Sequence, residues 1–157
     1  HSEKAVHVTL RAVSKDGRAS IEALYEIMRA RSTEADEHTN ISHRRLPAFR
    51  DHVRFVRSRP YRAWYLIKVD GLLAGSLNIT KRNEIGIVLI PDYRGKGIGR
   101  QALELAIARH RPLAAIPSVR EGCFLANINP KNGRSIALFE GIGFEHVQNT
   151  YRLPRRS

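Results

Sequence analysis

Between Pro91 and Arg100 the chain reads PDYRGKGIGR, with Gly95, Gly97 and Gly99 alternating with Lys96 and Ile98 between Arg94 and Arg100. An apolar run, Ile85 to Ile90, comes directly before it, and the helix-spaced stretch QALELAIA comes directly after. The chemistry suited to this arrangement is anion binding. Missing side chains let successive backbone N–H groups converge on an oxyanion, and the following helix adds its positive N-terminal end. A P-loop needs Gly-Lys followed by Ser or Thr, and no such triplet occurs. A dinucleotide fingerprint needs GxGxxG early in a βαβ unit, whereas these glycines space as GxGxG late in the chain. A ligand-free turn needs one or two glycines, not three interleaved with cations. The remaining pattern, Arg-x-x-Gly-x-Gly at Arg94, Gly97 and Gly99, suits a pyrophosphate.

Such a loop must be held by strands and helices. The alternation over His7 to Val13 predicts a first strand, and apolar spacing over Ser20 to Ala30 predicts a helix with Ser20 as its cap. The polar stretch RSTEADEHTNISHRR has no period and reads as a long loop. Leu46 to Ser58 predicts a second helix with Pro47 in its first turn, ended by Arg59-Pro60. Two strands, YRAWYLIKV and LLAGSLNIT, flank the hairpin-turn dipeptide Asp70-Gly71. A short buried strand runs over Asn83 to Ile90, then the glycine loop and a helix to about Arg109. CFLANIN (Cys123 to Asn129) predicts another strand, NGRSIALFEGIG a short helix stopped by Gly141 and Gly143, and FEHVQNTYRL the last strands. The order is β-α-α-β-β-β-α-β-α-β, an α/β fold with helices on both faces of a mixed central sheet. The chain, residues 1–157, shows no repeat, linker or second domain and reads as one domain.

Composition narrows the class. At 42% hydrophobic, 157 residues can bury a core without staples. No apolar run approaches the ~20 residues needed to cross a bilayer, and no signal segment opens the sequence. The single cysteine, Cys123, forms no internal disulfide, which predicts a reducing, cytoplasmic setting. The seven histidines lack metal-ligand spacing, so no metal is expected. The net charge of +12, from 27 Lys and Arg against 15 Asp and Glu, favours anionic partners. Much of the excess falls between Arg44 and Arg62 and in the tail YRLPRRS.

The segment IPDYRGKGIGRQALELAI resembles the pyrophosphate-binding segment of the GNAT superfamily of acyl-CoA-dependent N-acyltransferases, and NPKNGRSIALFEGIGF is similar to that family's second element. The resemblance covers almost the whole chain in strand order. It implies transfer of an acetyl group from acetyl-CoA to a primary amine by direct attack, with coenzyme A held between splayed fourth and fifth strands. By position it assigns the pyrophosphate to Arg94, Gly95, Lys96, Gly97, Ile98 and Gly99, and the pantetheine arm to backbone groups of Ile87, Val88 and Leu89. Asn132 matches the family asparagine that reaches the cofactor arm; a helix N-cap is its bland alternative. Phe139 stands where the family often carries a proton-donating tyrosine and can only pack beside the thioester.

The resemblance also places Glu84 at the mouth of the splay as a water-linked base, with a salt-bridged strand-start carboxylate as the equal alternative. Asn127 stands where some members carry a catalytic glutamate and can position the amine or a water. Asn129 and the loop residue His43 are further candidates on the acceptor side. Arginines of the second helix favour a small anionic acceptor, such as a nucleotide-linked amino sugar. Two rival readings are a non-catalytic acyl-CoA-binding sensor and a basic nucleic-acid-binding module; nucleic acid is disfavoured because the cations lack aromatic interleaving and a known motif. A homodimer is compatible with all of these, and no membrane partner is expected.

Overall fold

Asp70 and Gly71 both take positive φ, 50° and 83°, the pairing a tight type I′ hairpin turn requires. The turn joins β2 (Ala63–Val69) to β3 (Leu72–Ile79). The computed structural model describes residues 6–32 and 46–156. Strand β1 (Val8–Ala12) pairs with β2, and β4 (Ile85–Leu89) pairs with β3. The result is a four-stranded antiparallel sheet in the order β1-β2-β3-β4. Helices α1 (Arg18–Ser32), α2 (Phe49–Arg57), α3 (Ile98–Arg109) and α4 (Gly133–Ile142) complete the α/β fold.

Period-two alternation decides which face each helix covers. Ala63, Ile67, Leu77, Ile79 and Ile85 meet Ile98, Ala102, Leu103 and Ala106 of α3 and Phe139 of α4. Leu66, with partly buried Trp64, Leu73 and Val88, meets Ile21, Leu24 and Ile27 of α1 and Val56 of α2 on the opposite face. Helices therefore lie on both faces, as the sequence predicts.

Two expectations need correction. Among the described residues every paired strand is antiparallel, and Cys123 to Asn129 contributes a single parallel bridge, Glu84 to Leu125, instead of a paired strand. Beyond that bridge no backbone hydrogen bond joins it to β4 among the described residues. The segment FEHVQNTYRL forms no strand: after Phe144 no backbone hydrogen bond joins it to another described segment. Smaller differences concern helix ends. Helix α1 begins at Arg18, and the Ser20 hydroxyl accepts from the Ser14 N–H at 3.3 Å instead of capping. Helix α2 begins at Phe49 with Ala48 as N-cap, placing Pro47 just outside its first turn. Gly141 lies within α4, and Gly143, at φ 119°, ends it.

Candidate active site

The glycine loop hangs from the end of β4. A single turn, Pro91–Tyr93, redirects the chain, and α3 starts from Gly97. Gly95 (φ 73°) and Gly97 (φ 79°) occupy the left-handed region, where a side chain costs about 1–2 kcal/mol. A Cβ at either would meet nothing within 4 Å, so both face an open space. Gly99 serves packing: a Cβ there would lie 3.1 Å from the Leu138 Cδ2 of α4. No acceptor among the described residues takes the backbone N–H groups of residues 95 to 100. Six unpaired donors stand at a helix start beside open space, an arrangement of the kind that suits an anion.

The cations around this nest differ in their ties. The Arg94 guanidinium donates from Nη2 to the Leu89 carbonyl at 3.2 Å, bracing the loop against the strand end. Arg100 pairs with Glu104 at 2.9 Å, one turn into α3. Lys96 is exposed and has no ion pair among the described residues.

Beside the loop, β4 has one free edge. The Ile90 N–H donates to the Ala74 carbonyl at 2.8 Å, and Gly75 opposes Leu89 in the register. Alternation along an antiparallel pair then directs the backbone groups of Val88 and Gly86 at β3, and those of Ile87 and Leu89 away from it. Val88 therefore drops out of the predicted backbone set, since its N–H and C=O are spent on the ladder. On the free edge, the Ile85 N–H donates to the Leu125 carbonyl at 2.8 Å, and the Leu125 N–H to the Asn83 carbonyl at 2.9 Å. No further backbone bond joins β4 to residues 126–129 among the described residues. This is the expected splay, closed at Leu125 and open toward the glycine loop.

The closed end carries side chains. The Asn127 amide donates to Glu84 Oε2 at 2.5 Å, and the Thr80 hydroxyl donates to Glu84 Oε1 at 3.2 Å. Each carboxylate oxygen thus has a donor, one from either side of the split. The alternative of an arginine salt bridge to Glu84 is absent among the described residues. Glu84 shares the parity of Gly86 and Val88, which places it on the face covered by α1 and α2. Asn129 lies apart in the turn before α4, where its Oδ1 accepts from the Lys131 N–H at 2.9 Å. Asn132 caps α4, its Oδ1 accepting from the Ser135 N–H at 3.2 Å. Phe139 is buried in the core against Phe144, ring centroids 5.0 Å apart. His43 lies outside the described residues.

Two features near Glu84 escaped the sequence reading. Asn83, fully buried at φ 65°, donates to the Leu113 and Glu121 carbonyls and accepts from the Leu113 N–H and from Arg62. Every polar atom of its amide is used to pin the 110–121 loop next to Glu84. The usable signal was an asparagine in a tight turn, a residue type that tolerates left-handed backbone. The second feature is an edge-to-face trio: Tyr61 and Trp64 have ring centroids 4.8 Å apart, and Phe55 lies 6.0 Å from Trp64. Trp64 opposes Asn78, which opposes Gly86, so the trio sits on Glu84's face of the sheet.

Burial perturbs two histidines and Tyr61. Desolvation lowers the pKa of His52, whose Nε2 contacts the Ile21 carbonyl at 2.8 Å. Desolvation, and then Arg62 and Arg109, lower that of His110, which is hydrogen-bonded to the Tyr65 hydroxyl at 2.6 Å. Burial raises that of Tyr61. Among the described residues no His, Cys, Asp or Glu cluster could hold a metal, and no helix is long and apolar enough to cross a membrane.

Known proteins resemble this fold. The profile of the acetyltransferase (GNAT) family matches residues 21–144. A domain from Methanocaldococcus jannaschii DSM 2661 superposes with a TM-score of 0.71 at 22% identity, covering 93% of each chain. An N-acetyltransferase from Staphylococcus aureus Mu50 gives 0.67 at 16% identity, covering 90% of this chain and 86% of its own. A ribosomal L7/L12 alpha-N-protein acetyltransferase in complex with coenzyme A gives 0.64 at 21% identity, covering 90% and 82%. No curated protein sequence matches the chain.

Proposed function

Since the chain belongs to the acetyltransferase (GNAT) family, we propose that it transfers an acetyl group from acetyl-CoA to the primary amine of a small anionic acceptor. The observation that carries this reading is the nest of unpaired N–H groups at residues 95–100, opening beside the free edge of β4. Its chemistry fits a pyrophosphate: converging donors, a helix N-terminus, and space where Cβ atoms of Gly95 and Gly97 would otherwise stand. The free N–H and C=O of Ile87 and the N–H of Leu89 fit an extended amide chain added as a strand. Ligand-bound relatives support the same class, as the coenzyme A complex of the ribosomal-protein acetyltransferase illustrates.

When bound, acetyl-CoA supplies an acyl thioester. The protein's own contribution divides between the two ends of the cleft. Arg94 braces the loop through the Leu89 carbonyl, and the loop's N–H groups and Lys96 hold negative charge. At the mouth, Glu84 takes a proton from the acceptor ammonium through water, with Thr80 and Asn127 fixing its carboxylate. Phe139 offers no proton and serves by packing. Asn132 acts through its cap on α4, and its free amide N–H groups are the part left to reach a ligand. Asn129 shapes the turn beneath. Arg50, Arg54 and Arg57, exposed along α2, supply the attraction for an anionic acceptor, such as a nucleotide-linked amino sugar.

The test is release of free thiol from acetyl-CoA with a panel of amines, matched in size and differing in charge. Turnover highest with anionic primary amines is expected. Tight coenzyme A binding without turnover of any amine would leave a sensor, a reading that buried Phe139 favours. Absence of both would overturn the proposal.

A further inference from the structure

Glu84 follows a turn whose backbone demands an unusual conformation. The Asn83 N–H donates to the Thr80 carbonyl at 3.1 Å, and the Thr80 N–H donates to the Glu84 carbonyl at 2.9 Å. This is the bonding of a three-residue hairpin loop, and Asn83 takes its left-handed place at φ 65°. Glycine would satisfy that backbone at no steric cost. The chain carries an asparagine there and buries it completely.

What the side chain adds is a set of long-range ties. Nδ2 donates to the Leu113 carbonyl at 2.9 Å and to the Glu121 carbonyl at 2.8 Å, and Oδ1 accepts from the Leu113 N–H at 2.7 Å. The Arg62 Nη2 donates to the same oxygen at 3.3 Å and to the Arg111 carbonyl at 3.1 Å. Its Nε donates to the Thr80 carbonyl at 3.2 Å. The Asn83 carbonyl accepts from the Leu125 N–H, which helps to close the splay.

These ties converge on the two donors that hold Glu84. Thr80, whose hydroxyl donates to Oε1, is bonded through its carbonyl to both Asn83 and Arg62. Asn127, whose amide donates to Oε2, stands two residues beyond Leu125. Asn83 holds that segment at Glu121 through its side chain and at Leu125 through its carbonyl. A single buried residue therefore links the turn on one side of the carboxylate to the segment on the other.

We propose that Asn83 is a positioning residue for Glu84: it sets Thr80 and Asn127 relative to each other, and so fixes the carboxylate between them. Its effect on turnover rests on the reading of Glu84 as the base, whereas its effect on the surroundings of the carboxylate does not.

The test is Asn83→Gly, which keeps the left-handed turn and removes the amide. In the protein without ligand, the side-chain amide resonance of Asn127 should shift with pH as Glu84 titrates, and Asn83→Gly should abolish that response. Turnover should fall about 10–100-fold, the scale of a catalytic group misplaced by ~1 Å, with coenzyme A affinity unchanged. In a Glu84→Gln background the same substitution should lower kcat by no more than about twofold, because its route of action is already gone. An Asn127 response that persists in folded Asn83→Gly would overturn the proposal. So would equal losses of kcat with and without the Glu84 carboxylate. Wild-type kcat in Glu84→Gln would remove the base reading instead, and the Asn127 response would still decide whether Asn83 positions the carboxylate. Should melting of the α3-packed core show that Asn83→Gly is unfolded, Arg62→Met tests the same link. It removes a donor from Asn83 Oδ1 and should weaken the Asn127 response; an unaltered response would overturn the proposal.

Discussion

The two ends of the cleft are built from different parts of the chain. At the α3 end the groups proposed to bind are mainly backbone donors, residues 95–100 and the free edge of β4, with Arg94 bracing the loop. At the mouth the backbone is closed by the Leu125 bridge, and the groups proposed to work there are the hydrogen-bonded side chains of Glu84, Thr80 and Asn127. A backbone site depends on conformation and tolerates many side chains. A side-chain site fails or survives with a single atom. The two ends should therefore respond to substitution in separable ways.

The sharpest separation comes from Glu84→Gln, which keeps shape while removing the charge. Turnover should fall by ~10²–10⁴-fold, the usual worth of a general base, with coenzyme A affinity unchanged and partial rescue at high pH. Wild-type kcat across the pH range would reduce Glu84 to a strand-start carboxylate. Asn127→Ala should act more mildly. It removes one hydrogen bond to a charged group, worth about 1.5 kcal/mol, and so should lower kcat about tenfold, again without changing cofactor affinity. Equal losses in kcat and affinity would merge the two ends into one unit.

Asn132→Ala probes a residue with a foot in each region. As an N-cap it should cost about 1 kcal/mol of stability in urea unfolding. A stable protein with weak coenzyme A binding would instead make Asn132 a ligand contact. The smallest effect is a pH dependence located outside the cleft. His52 and His110 have lowered pKa values in the folded protein, so below about 6.5, the ordinary histidine value, the unfolded chain binds more protons. Their contribution to stability is present above that pH and lost as the pH falls. The melting temperature should drop between pH 7.5 and 5, and replacing both histidines by glutamine should flatten the drop. A melting temperature that rises on acidification would contradict the burial argument.

What the sequence made legible follows the same division. The Asp70-Gly71 turn and the Gly95–Gly97 loop announce themselves because glycine and aspartate occur where φ must be positive. Strand faces follow from alternation, and both packed layers were predictable in this way. Val88 needed the register, because one residue's parity decides whether its backbone faces the ladder or the gap. Asn83 needed the tertiary fold, since its partners lie 30 and 38 residues away. The last strand was legible as a pattern over residues 145–153, but pairing is a property of the neighbour and cannot be read from the strand alone.

The central proposal is that backbone N–H groups at the α3 start contribute more to holding the cofactor than the side chains around them. Calorimetric titration of acetyl-CoA into Gly97→Val tests it directly. Valine strains the left-handed position and places methyl groups in the open space beside the N–H nest. Losing one charge-assisted bond of about 1.5–3 kcal/mol predicts affinity weakened by about 10–100-fold, with the α3-packed core still folded by circular dichroism. Unchanged affinity in a folded Gly97→Val protein would contradict the assignment of this loop.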